Sequence, residues 1–318
     1  MTKSCRSVLV TGGAGFLGSH LVPQLLELGY SVTVLDNLSN GKLENLVGVF
    51  DNPKFIFRRG DILDKSLLNE VFEGVDSVVH LAALIDISAS VADPRQNHEV
   101  NIDGTFNLLH AATQHNVKKF VFASSTAVYG DVKTLPVQEN IALHPISPYA
   151  ASKVAGEAYC CAFAGCFGLE TVALRFFNIY GLRSGKSPYS GVITKFIQKI
   201  SSGEALTVDG DGEQTRDFIH VSDIVKAVIL ALGQSGLKGE VFNVCTGVPI
   251  SINELVATLK TVTGKNPNVK YGPARIGDIR NSYGDPTLAL EHLGFKASVD
   301  LTRGLQMLLE ESNKTNTC

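Results

Sequence analysis

The feature that most constrains the fold is a glycine-rich turn near the start of the chain, VLVTGGAGFLGSH at residues 8–20. An apolar, β-type run precedes the turn, and a helical pattern that ends at Gly29 follows it. Gly12, Gly15 and Gly18 let the backbone turn tightly and approach a pyrophosphate, which the helix N-terminus attracts through its free N–H groups and positive dipole. A glycine motif alone is weak evidence, but a strand before and a helix after it indicate a Rossmann-type dinucleotide-binding unit.

The rest of the first half alternates short β-type runs with helical patterns. The further runs are SVTVLD (31–36), KFIFRRGD (54–61), VDSVVHLAA (75–83), KFVFASST (119–126) and TVALRFFN (171–178), and the clearest helical patterns cover 16–29 and 97–116. This alternation predicts an α/β fold with a doubly wound parallel sheet. Residues after 178 are rich in glycine, serine and loops, which predicts a smaller C-terminal lobe. We therefore expect a dinucleotide-binding domain at 1–175, with 217–246 returning to it, and a substrate lobe at 176–216 and 247–318.

An acidic residue at the end of the second predicted strand indicates which dinucleotide binds. Asp36 lies about 20 residues beyond the glycine turn, where a carboxylate can hold the adenosine 2′-hydroxyl. It would repel a 2′-phosphate, and the residues that follow include no arginine to bind one, so NAD is predicted rather than NADP. The alternative is that Asp36 caps a helix. Asp61 and Ile62, at the exit of the third strand, are either adenine contacts or the cap of the next helix.

A later segment, SPYAASK at 147–153, carries candidate chemistry. Tyr149 and Lys153 are four residues apart, so a helix would place both on one face. Taken alone, such a pair is more often an ordinary helix-surface pair. A lysine ammonium and a nicotinamide cation nearby would lower the pKa of the tyrosine from its usual value near 10 and make it a usable base. With the dinucleotide motif and the Ser125 hydroxyl at a strand end, the pair is predicted to be catalytic.

Composition argues against several other classes of protein. The formal net charge of -3 and the absence of long basic runs argue against a nucleic-acid binder. No stretch approaches the roughly 20 apolar residues of a membrane span, and the N-terminus does not resemble a signal peptide. The six cysteines are scattered without a metal-binding spacing, which is typical of reduced thiols in a cytoplasmic enzyme with no metal site.

Several separated motifs give the chain a resemblance to the extended short-chain dehydrogenase/reductase family. They are the T-G-x-x-G-x-x-G turn, HLAAL (80–84), NIDGT (101–105), SSTAVYG (124–130), Tyr149-x-x-x-Lys153, RFFNIYG (175–181) and TRDFIHVSDIV (215–225). They occur in the family's order over nearly the whole chain. The resemblance is strongest to the nucleotide-sugar branch, and within it to UDP-hexose 4-epimerases.

The resemblance implies an enzyme that uses NAD and a UDP-sugar, with Ser125, Tyr149 and Lys153 as catalytic residues. The implied cofactor contacts are Gly12, Gly15, Phe16, Leu17, Gly18, Asp36, Asn37, Asp61, Ile62, Leu81, Ala82, Ala83, Asn101, Tyr149, Lys153 and Phe176. The implied substrate contacts are Ser125, Thr126, Asn178, Gly191, Val192, Thr207, Val208, Arg216, Arg275, Asp278 and Ser282. Arginine suits a diphosphate because its guanidinium pairs with phosphate oxygens in a forked geometry. Family members commonly dimerise through two helices, here 95–115 and 148–166, so a homodimer is expected.

Two positions favour epimerisation over the other reactions of this family. Related 4,6-dehydratases carry Asp-Glu immediately before their V-Y-G triplet, and the decarboxylases keep the glutamate, whereas this chain has Thr126 and Ala127. Without those carboxylates, the expected outcome is return of the hydride to the other face of the 4-keto sugar. A small Ser282 where some relatives have tyrosine suggests room for an N-acetyl group.

Two kinds of alternative remain open. Another NAD-dependent nucleotide-sugar enzyme is one: a UDP-glucuronate decarboxylase, a 4,6-dehydratase, or a UDP-glucuronate 4-epimerase, in which Arg183 could meet the sugar carboxylate. A catalytically silent NAD-binding scaffold is a different class, but such a protein is expected to lose Tyr149, Lys153 or Ser125, and all three are present.

Overall fold

The structure is a computed structural model, which describes residues 6–184, 191–274 and 279–315, with side chains through Glu311. Two of the predicted substrate contacts, Arg275 and Asp278, lie outside the described residues.

A seven-stranded parallel sheet forms the centre of the molecule. Its strands are β1 (Ser7–Thr11), β2 (Ser31–Asp36), β3 (Phe55–Arg59), β4 (Ser77–His80), β5 (Lys119–Ser125), β6 (Glu170–Phe176) and β11 (Glu240–Val244). The spatial order is β11-β6-β5-β4-β1-β2-β3, and every neighbouring pair is parallel. The order reverses direction between β1 and β4, so the two halves of the sheet diverge at that point. The predicted Rossmann-type fold is confirmed.

Helices cover both faces of this sheet, as parallel strands require. They are α1 (Phe16–Glu27), α2 (Lys65–Val71), α3 (Ile87–Ala92), α4 (Pro94–His98), α5 (Gly104–Gln114), α6 (Pro148–Phe167) and α8 (Val221–Gly233). Successive residues of β1 show why both faces are buried. Val8 and Val10 belong to the core on the side of α1 and α8, whereas Leu9 belongs to the core on the side of α5 and α6. All three are fully buried.

The predicted helix over 97–116 is not uniform. Helix α4 runs into a π-helical turn at Glu99–Asp103, and only then does α5 begin. A π-helical turn accommodates an extra residue, and such turns are frequent at functional sites. Here it carries Asn101, which is buried and hydrogen-bonded to the chain that leaves β4.

The C-terminal part contributes short strands and a separate core. Its strands are β7 (Asn178–Tyr180), β8 (Leu206–Asp209), β9 (Thr215–Arg216), β10 (Phe218–His220), β12 (Ile250–Ser251), β13 (Val269–Gly272) and β14 (Asn281–Ser282). Its helices are α7 (Val192–Ser202), α9 (Ile252–Thr263), α10 (Thr287–Leu293) and α11 (Leu301–Thr315). Residues of α7, β8, α9 and α11, including Phe196, Leu206, Leu255 and Leu305, pack into one apolar cluster apart from the main sheet.

Candidate active site

The glycine turn packs so tightly that two of the three motif glycines, Gly12 and Gly18, have no room for a side chain. Gly12 has a φ of +70°, and a Cβ there would lie 2.7 Å from the backbone nitrogen of Ala82. A Cβ on Gly18 would lie 2.4 Å from the Cα of Gly13. Gly15 is less crowded and is the N-cap of α1, where no side chain caps the helix. The first N–H groups of α1, at Phe16 and Leu17, are therefore not covered by a capping side chain, which fits a bound diphosphate.

Asp36, the last residue of β2, lies against this glycine turn. Its carboxylate accepts hydrogen bonds from the backbone N–H of Ala14 at 2.9 Å and of Leu38 at 2.8 Å. It caps no helix, since the following 3₁₀ helix starts at Leu43 behind Lys42. Each carboxylate oxygen keeps a second lone pair, so the group can still accept from a ribose hydroxyl. The contacts present therefore fit an NAD adenosine.

Neighbouring strand ends bring Asn37 and Asp61 together. The Asn37 amide donates to Asp61 Oδ2 at 2.8 Å, and Asp61 Oδ1 accepts from the backbone of Leu63. Helix α2 is capped by Asp64 instead, whose carboxylate accepts from two N–H groups of its first turn. Of the two interpretations that the sequence left for Asp61, the helix cap is therefore wrong. Ile62 is buried against Gly104 at the start of α5.

A buried histidine ties the glycine turn to the π-helical turn. His80 Nδ1 is 2.8 Å from Thr11 Oγ1, and His80 Nε2 is 2.9 Å from Thr105 Oγ1. Since Thr105 donates its own proton to the carbonyl of Asn101, it accepts from Nε2–H, and the imidazole is neutral. Burial lowers the pKa of His80 to about 3. The following segment, Leu81 to Ala83, is thereby held beside β1.

The predicted catalytic residues meet at the carboxyl ends of β5 and β6. Tyr149 and Lys153 lie in the first turns of α6, whose N-cap is Ser147, and both side chains are buried. Ser125 ends β5, and its hydroxyl is close enough to the Tyr149 phenol to lower the pKa of that group. Lys153 Nζ donates to the carbonyl of Ala123 at 2.8 Å and lies 5.8 Å from the centre of the Tyr149 ring. The three groups therefore form one cluster next to the end of the sheet.

Burial dominates the electrostatics of this cluster. It raises the pKa of Tyr149 above its ordinary value, and the nearby Ser125 hydroxyl offsets part of that rise. Burial also lowers the pKa of Lys153 to about 8, against an opposing contribution from Glu157. The protein alone therefore does not produce the lowered tyrosine pKa that the sequence led us to expect, because desolvation of the phenolate outweighs its neighbours.

Three serine and asparagine contacts that the sequence did not single out hold the start of α6 in place. Ser90 Oγ accepts from the backbone N–H of Tyr149 at 3.2 Å. Ser152 Oγ accepts from the Asn101 amide at 3.1 Å and donates to the Tyr149 carbonyl. Ser152 lies inside the SPYAASK segment, but its partner is distant in the chain, so only the fold identifies the contact.

The remaining predicted contacts lie on several short elements. Phe176 ends β6, pairs in register with Ser125 and is buried, and Thr126 begins a 3₁₀ turn beyond β5. Ser282 on β14 is in register with Arg216 on β9. The others named as substrate contacts are Asn178 on β7, Gly191 and Val192 at the start of α7, and Thr207 and Val208 on β8. Val208 as a whole is 1% exposed and belongs to the apolar cluster of this part of the chain.

The described residues contain neither a membrane-spanning helix nor a metal site. No helix among them is long and apolar enough to cross a membrane. Within the same ranges, no group of three or more His, Cys, Asp or Glu side chains could hold a metal ion. The four described cysteines, Cys160, Cys161, Cys166 and Cys245, are unpaired thiols.

Fold and site together define a dinucleotide-dependent enzyme of the Rossmann type, with a tyrosine, a lysine and a serine at the sheet's carboxyl edge. The model of the NAD dependent epimerase/dehydratase family matches residues 8–245. This chain belongs to that family. The predicted NAD cofactor and the predicted membership of the extended short-chain dehydrogenase/reductase group are confirmed.

Individual relatives match over almost the full length. A putative UDP-glucose 4-epimerase of Methanocaldococcus jannaschii is 40% identical over 311 residues, which cover 97% of this chain and 99% of that protein. A crystal structure of UDP-glucose 4-epimerase with UDP-glucose from Thermotoga maritima superposes with a TM-score of 0.91 at 40% identity, covering 98% and 99% of the two chains. UDP-N-acetylglucosamine 4-epimerase from Methanobrevibacter ruminantium, in complex with UDP-N-acetylmuramic acid, superposes with a TM-score of 0.93 at 39% identity and the same coverage.

Proposed function

We propose that this protein is an NAD-dependent 4-epimerase of UDP-hexoses, which interconverts UDP-glucose and UDP-galactose. The observation that carries the proposal is the cluster of Ser125, Tyr149 and Lys153 in a site without a carboxylate at 126 or 127. The 4-epimerases among its relatives, which are 39–40% identical to this chain, support the same reaction.

The roles of the cluster follow from its chemistry. Tyr149 takes the proton of the sugar C4 hydroxyl, and Ser125 holds that hydroxyl and the phenol in line. Lys153 stabilises the phenolate with its ammonium charge, which the Ala123 carbonyl orients. When bound, NAD supplies a hydride acceptor for C4 and a positive ring near the phenol. In the second half of the reaction Tyr149 returns the proton to the same oxygen, so no net proton is consumed.

The substrate range is the finer part of the proposal. Ser282 has a small side chain, which would leave space beside the sugar. It is in register with Arg216 on the neighbouring strand β9, the arginine proposed to bind the diphosphate. UDP-N-acetylglucosamine and UDP-N-acetylgalactosamine are therefore proposed as further substrates. A UDP-glucuronate is less well supported, because Arg183 donates its Nη1 to the Ser19 carbonyl of α1 at 3.2 Å.

We also propose how the chain divides between the two ligands. Residues 1–175 with 217–246 would hold NAD, which the pairing of β11 with β6 supports. Residues 176–216 and 247–318 would hold the UDP-sugar, which the separate apolar cluster of that part supports. Arg275 and Asp278 keep their proposed roles at the diphosphate and ribose.

A homodimer in the cytoplasm is the proposed state of the enzyme. Helices α5 and α6 lie against each other and expose Phe106 at 39%, Tyr159 at 37% and Phe167 at 64%. An aromatic surface of this kind suits a helix-pair interface between two copies. Light scattering behind a sizing column would give twice the chain mass; a monomer at micromolar concentration would contradict it.

Product analysis by NMR tests the proposed reaction. The purified enzyme is supplied with NAD and, in separate reactions, with UDP-glucose, UDP-N-acetylglucosamine and UDP-glucuronate. The expected product of the first is UDP-galactose, approached from either direction. A 4-keto-6-deoxy sugar, a pentose, or no conversion of any of the three would refute the proposal, and no conversion would favour the silent scaffold.

A further inference from the structure

A buried ion pair between Glu157 and Arg175 lies next to the acid–base cluster and has no role in the proposed reaction. Glu157 lies on α6, four residues beyond Lys153 and eight beyond Tyr149, so all three share one face of the helix. Its side chain is 7% exposed. A carboxylate is costly to bury, and even a paired one is weak evidence for stability, so its presence behind a catalytic lysine calls for another reason.

Side chains of two neighbouring strands, β5 and β6, bind the Glu157 carboxylate. Arg175 on β6 donates from Nε to Oε1 at 2.9 Å and from Nη2 to Oε2 at 2.7 Å, a bidentate pair. Ser124 on β5, in register with Arg175, donates to Oε1 at 2.5 Å. Arg175 is fixed in turn by Tyr129, whose hydroxyl accepts from Nη1 at 2.8 Å and donates to Asn243 at 2.6 Å.

The next residues along both strands belong to the active site. Ser124 precedes Ser125, and Arg175 precedes Phe176, while Ser125 and Phe176 are themselves in register. One carboxylate thus joins the strand ends that carry Ser125 and Phe176 to the helix that carries Tyr149 and Lys153. A displacement of Glu157 would act directly on Ser124 and Arg175, and through their strands on Ser125 and Phe176.

We propose that Glu157 is a positioning residue for the acid–base pair: clamped by Arg175 and Ser124, its carboxylate keeps Lys153 in the ammonium form. This inference rests on the proposed roles of Tyr149 and Lys153. It adds a residue that touches neither substrate nor cofactor and acts through the lysine.

The charges around Lys153 are consistent with this role. On its own helix the titratable neighbours are Tyr149, Glu157 and Cys160, and on β4 there is His80, which stays neutral. Lys119 and Glu170 begin β5 and β6, at the edge of the sheet opposite the site, and pair with each other. The helical turns packed on the other side contribute side chains that are exposed or half-buried: Asp86, Asp93, Arg95, His98, Glu99, Asp103 and His110. Glu157 is therefore the buried anion that faces the lysine among the described residues.

Magnitudes indicate why the carboxylate matters. With its pKa at about 8, Lys153 is protonated at pH 7 by about ten to one. The Glu157 carboxylate, one helical turn away, raises the pKa of Lys153 against the lowering that burial causes. Without this carboxylate, the pKa of Lys153 would fall closer to 7, fewer molecules would carry the ammonium charge, and the alkaline limb of the activity profile would move to lower pH.

The test measures the titration of Lys153 directly. Protein labelled with ¹³C at lysine Cε is titrated by NMR, and the Lys153 signal is assigned by its loss in Lys153→Met. Three variants are compared with wild type. Glu157→Gln removes the carboxylate, Tyr129→Phe loosens the same network without removing a charge, and Glu157→Gln/Arg175→Gln removes both charges in case the single variant does not fold.

The Lys153 midpoint is expected to fall by about one pH unit in Glu157→Gln, to fall by less in the double variant, and to stay unchanged in Tyr129→Phe. The alkaline limb of kcat/KM should shift by the same amounts. A wild-type midpoint in the Glu157 variants, or an equal shift in Tyr129→Phe, overturns the proposal. The NMR titration needs no substrate, so failure of the proposed epimerase reaction would be seen separately, as absent turnover in wild type.

Discussion

The cofactor side and the sugar side of this site are built differently. Asp36, Asn101 and Lys153 are buried, and each makes hydrogen bonds that the fold supplies without a ligand. On the proposed sugar side, Thr207 and Asn178 are exposed, and Ser282 sits on a strand of two residues. The chemistry is thus set by a rigid core, whereas the substrate range depends on short elements that tolerate change. Substitutions on the first side should cost activity or folding, and those on the second should change selectivity.

The largest effect is expected at the phenol of the cofactor side. Tyr149→Phe removes the proposed proton acceptor and should lower kcat by about 10³-fold, with NAD affinity unchanged within about twofold. Initial rates with UDP-galactose and calorimetric titration with NAD measure the two quantities. Tyr159→Phe, on an exposed position of the same helix, is the matched control. Activity of the Tyr149 variant within about tenfold of wild type would remove this residue from its role.

The glycine turn provides the next largest effect, on folding and cofactor binding together. Gly18→Ala forces a Cβ to within 2.4 Å of a backbone Cα and should cost about 3 kcal/mol of unfolding free energy. Gly15→Ala meets only one backbone oxygen at 3.1 Å and should cost less. Gly165→Ala, in α6 with open space around it, should be neutral or slightly stabilising. Urea unfolding compares the three, and equal stabilities for the Gly18 and Gly165 variants would contradict the packing argument.

A pH effect of intermediate size is expected from His80. Its pKa is about 3 in the folded protein and about 6.5 unfolded, so the unfolded state binds the extra proton first as the pH falls. Stability from this group is complete above the unfolded pKa and is lost between about pH 6.5 and 3. Lowering the pH from about 7 to 5 should cost about 2 kcal/mol.

Replacing this histidine checks the assignment. His80→Gln should remove that part of the pH dependence in urea unfolding, and the same change at the exposed His110 serves as control. An identical pH dependence in wild type and His80→Gln would show that the stability loss in acid comes from other groups.

The smallest effect is expected on the sugar side. Ser282→Tyr fills the space beside the proposed 2-substituent and should lower kcat/KM for UDP-N-acetylglucosamine by about tenfold relative to UDP-glucose. Ser282→Ala should leave the ratio near its wild-type value. Paired initial-rate measurements give the ratio directly. A Tyr variant that keeps both activities would place the N-acetyl group elsewhere.

Spacing along the chain was enough to predict where much of the proposed cofactor side lies in the fold. Gly12 follows β1, Gly18 lies in the first turn of α1, Asp36 ends β2, and Tyr149 with Lys153 share a helical face, so local geometry determines their neighbours. The contact of Glu157 with Arg175 joins a helix to a strand, and no local pattern reveals it.

Other features could not be predicted, because the sequence allows more than one local structure and long-range contacts select between them. The sequence left Asp61 as a possible cap of the helix after β3, but in the folded chain α2 starts at Lys65 and its first N–H groups bond to Asp64. The π-helical turn at Glu99–Asp103 interrupts a continuous helical pattern because Asn101 bonds to the chain after β4. Strands of two to four residues in the second lobe, such as β9 and β14, are too short to show a period.

The most direct test of the central claim follows the hydrogen at C4. UDP-glucose carrying deuterium at C4 is converted by the enzyme with catalytic NAD in ordinary water, and the product is analysed by NMR and mass spectrometry. If one hydride leaves C4 and returns to the opposite face, UDP-galactose should form with the deuterium fully retained at C4. Loss of the deuterium to water, or its transfer to C6, would contradict the account.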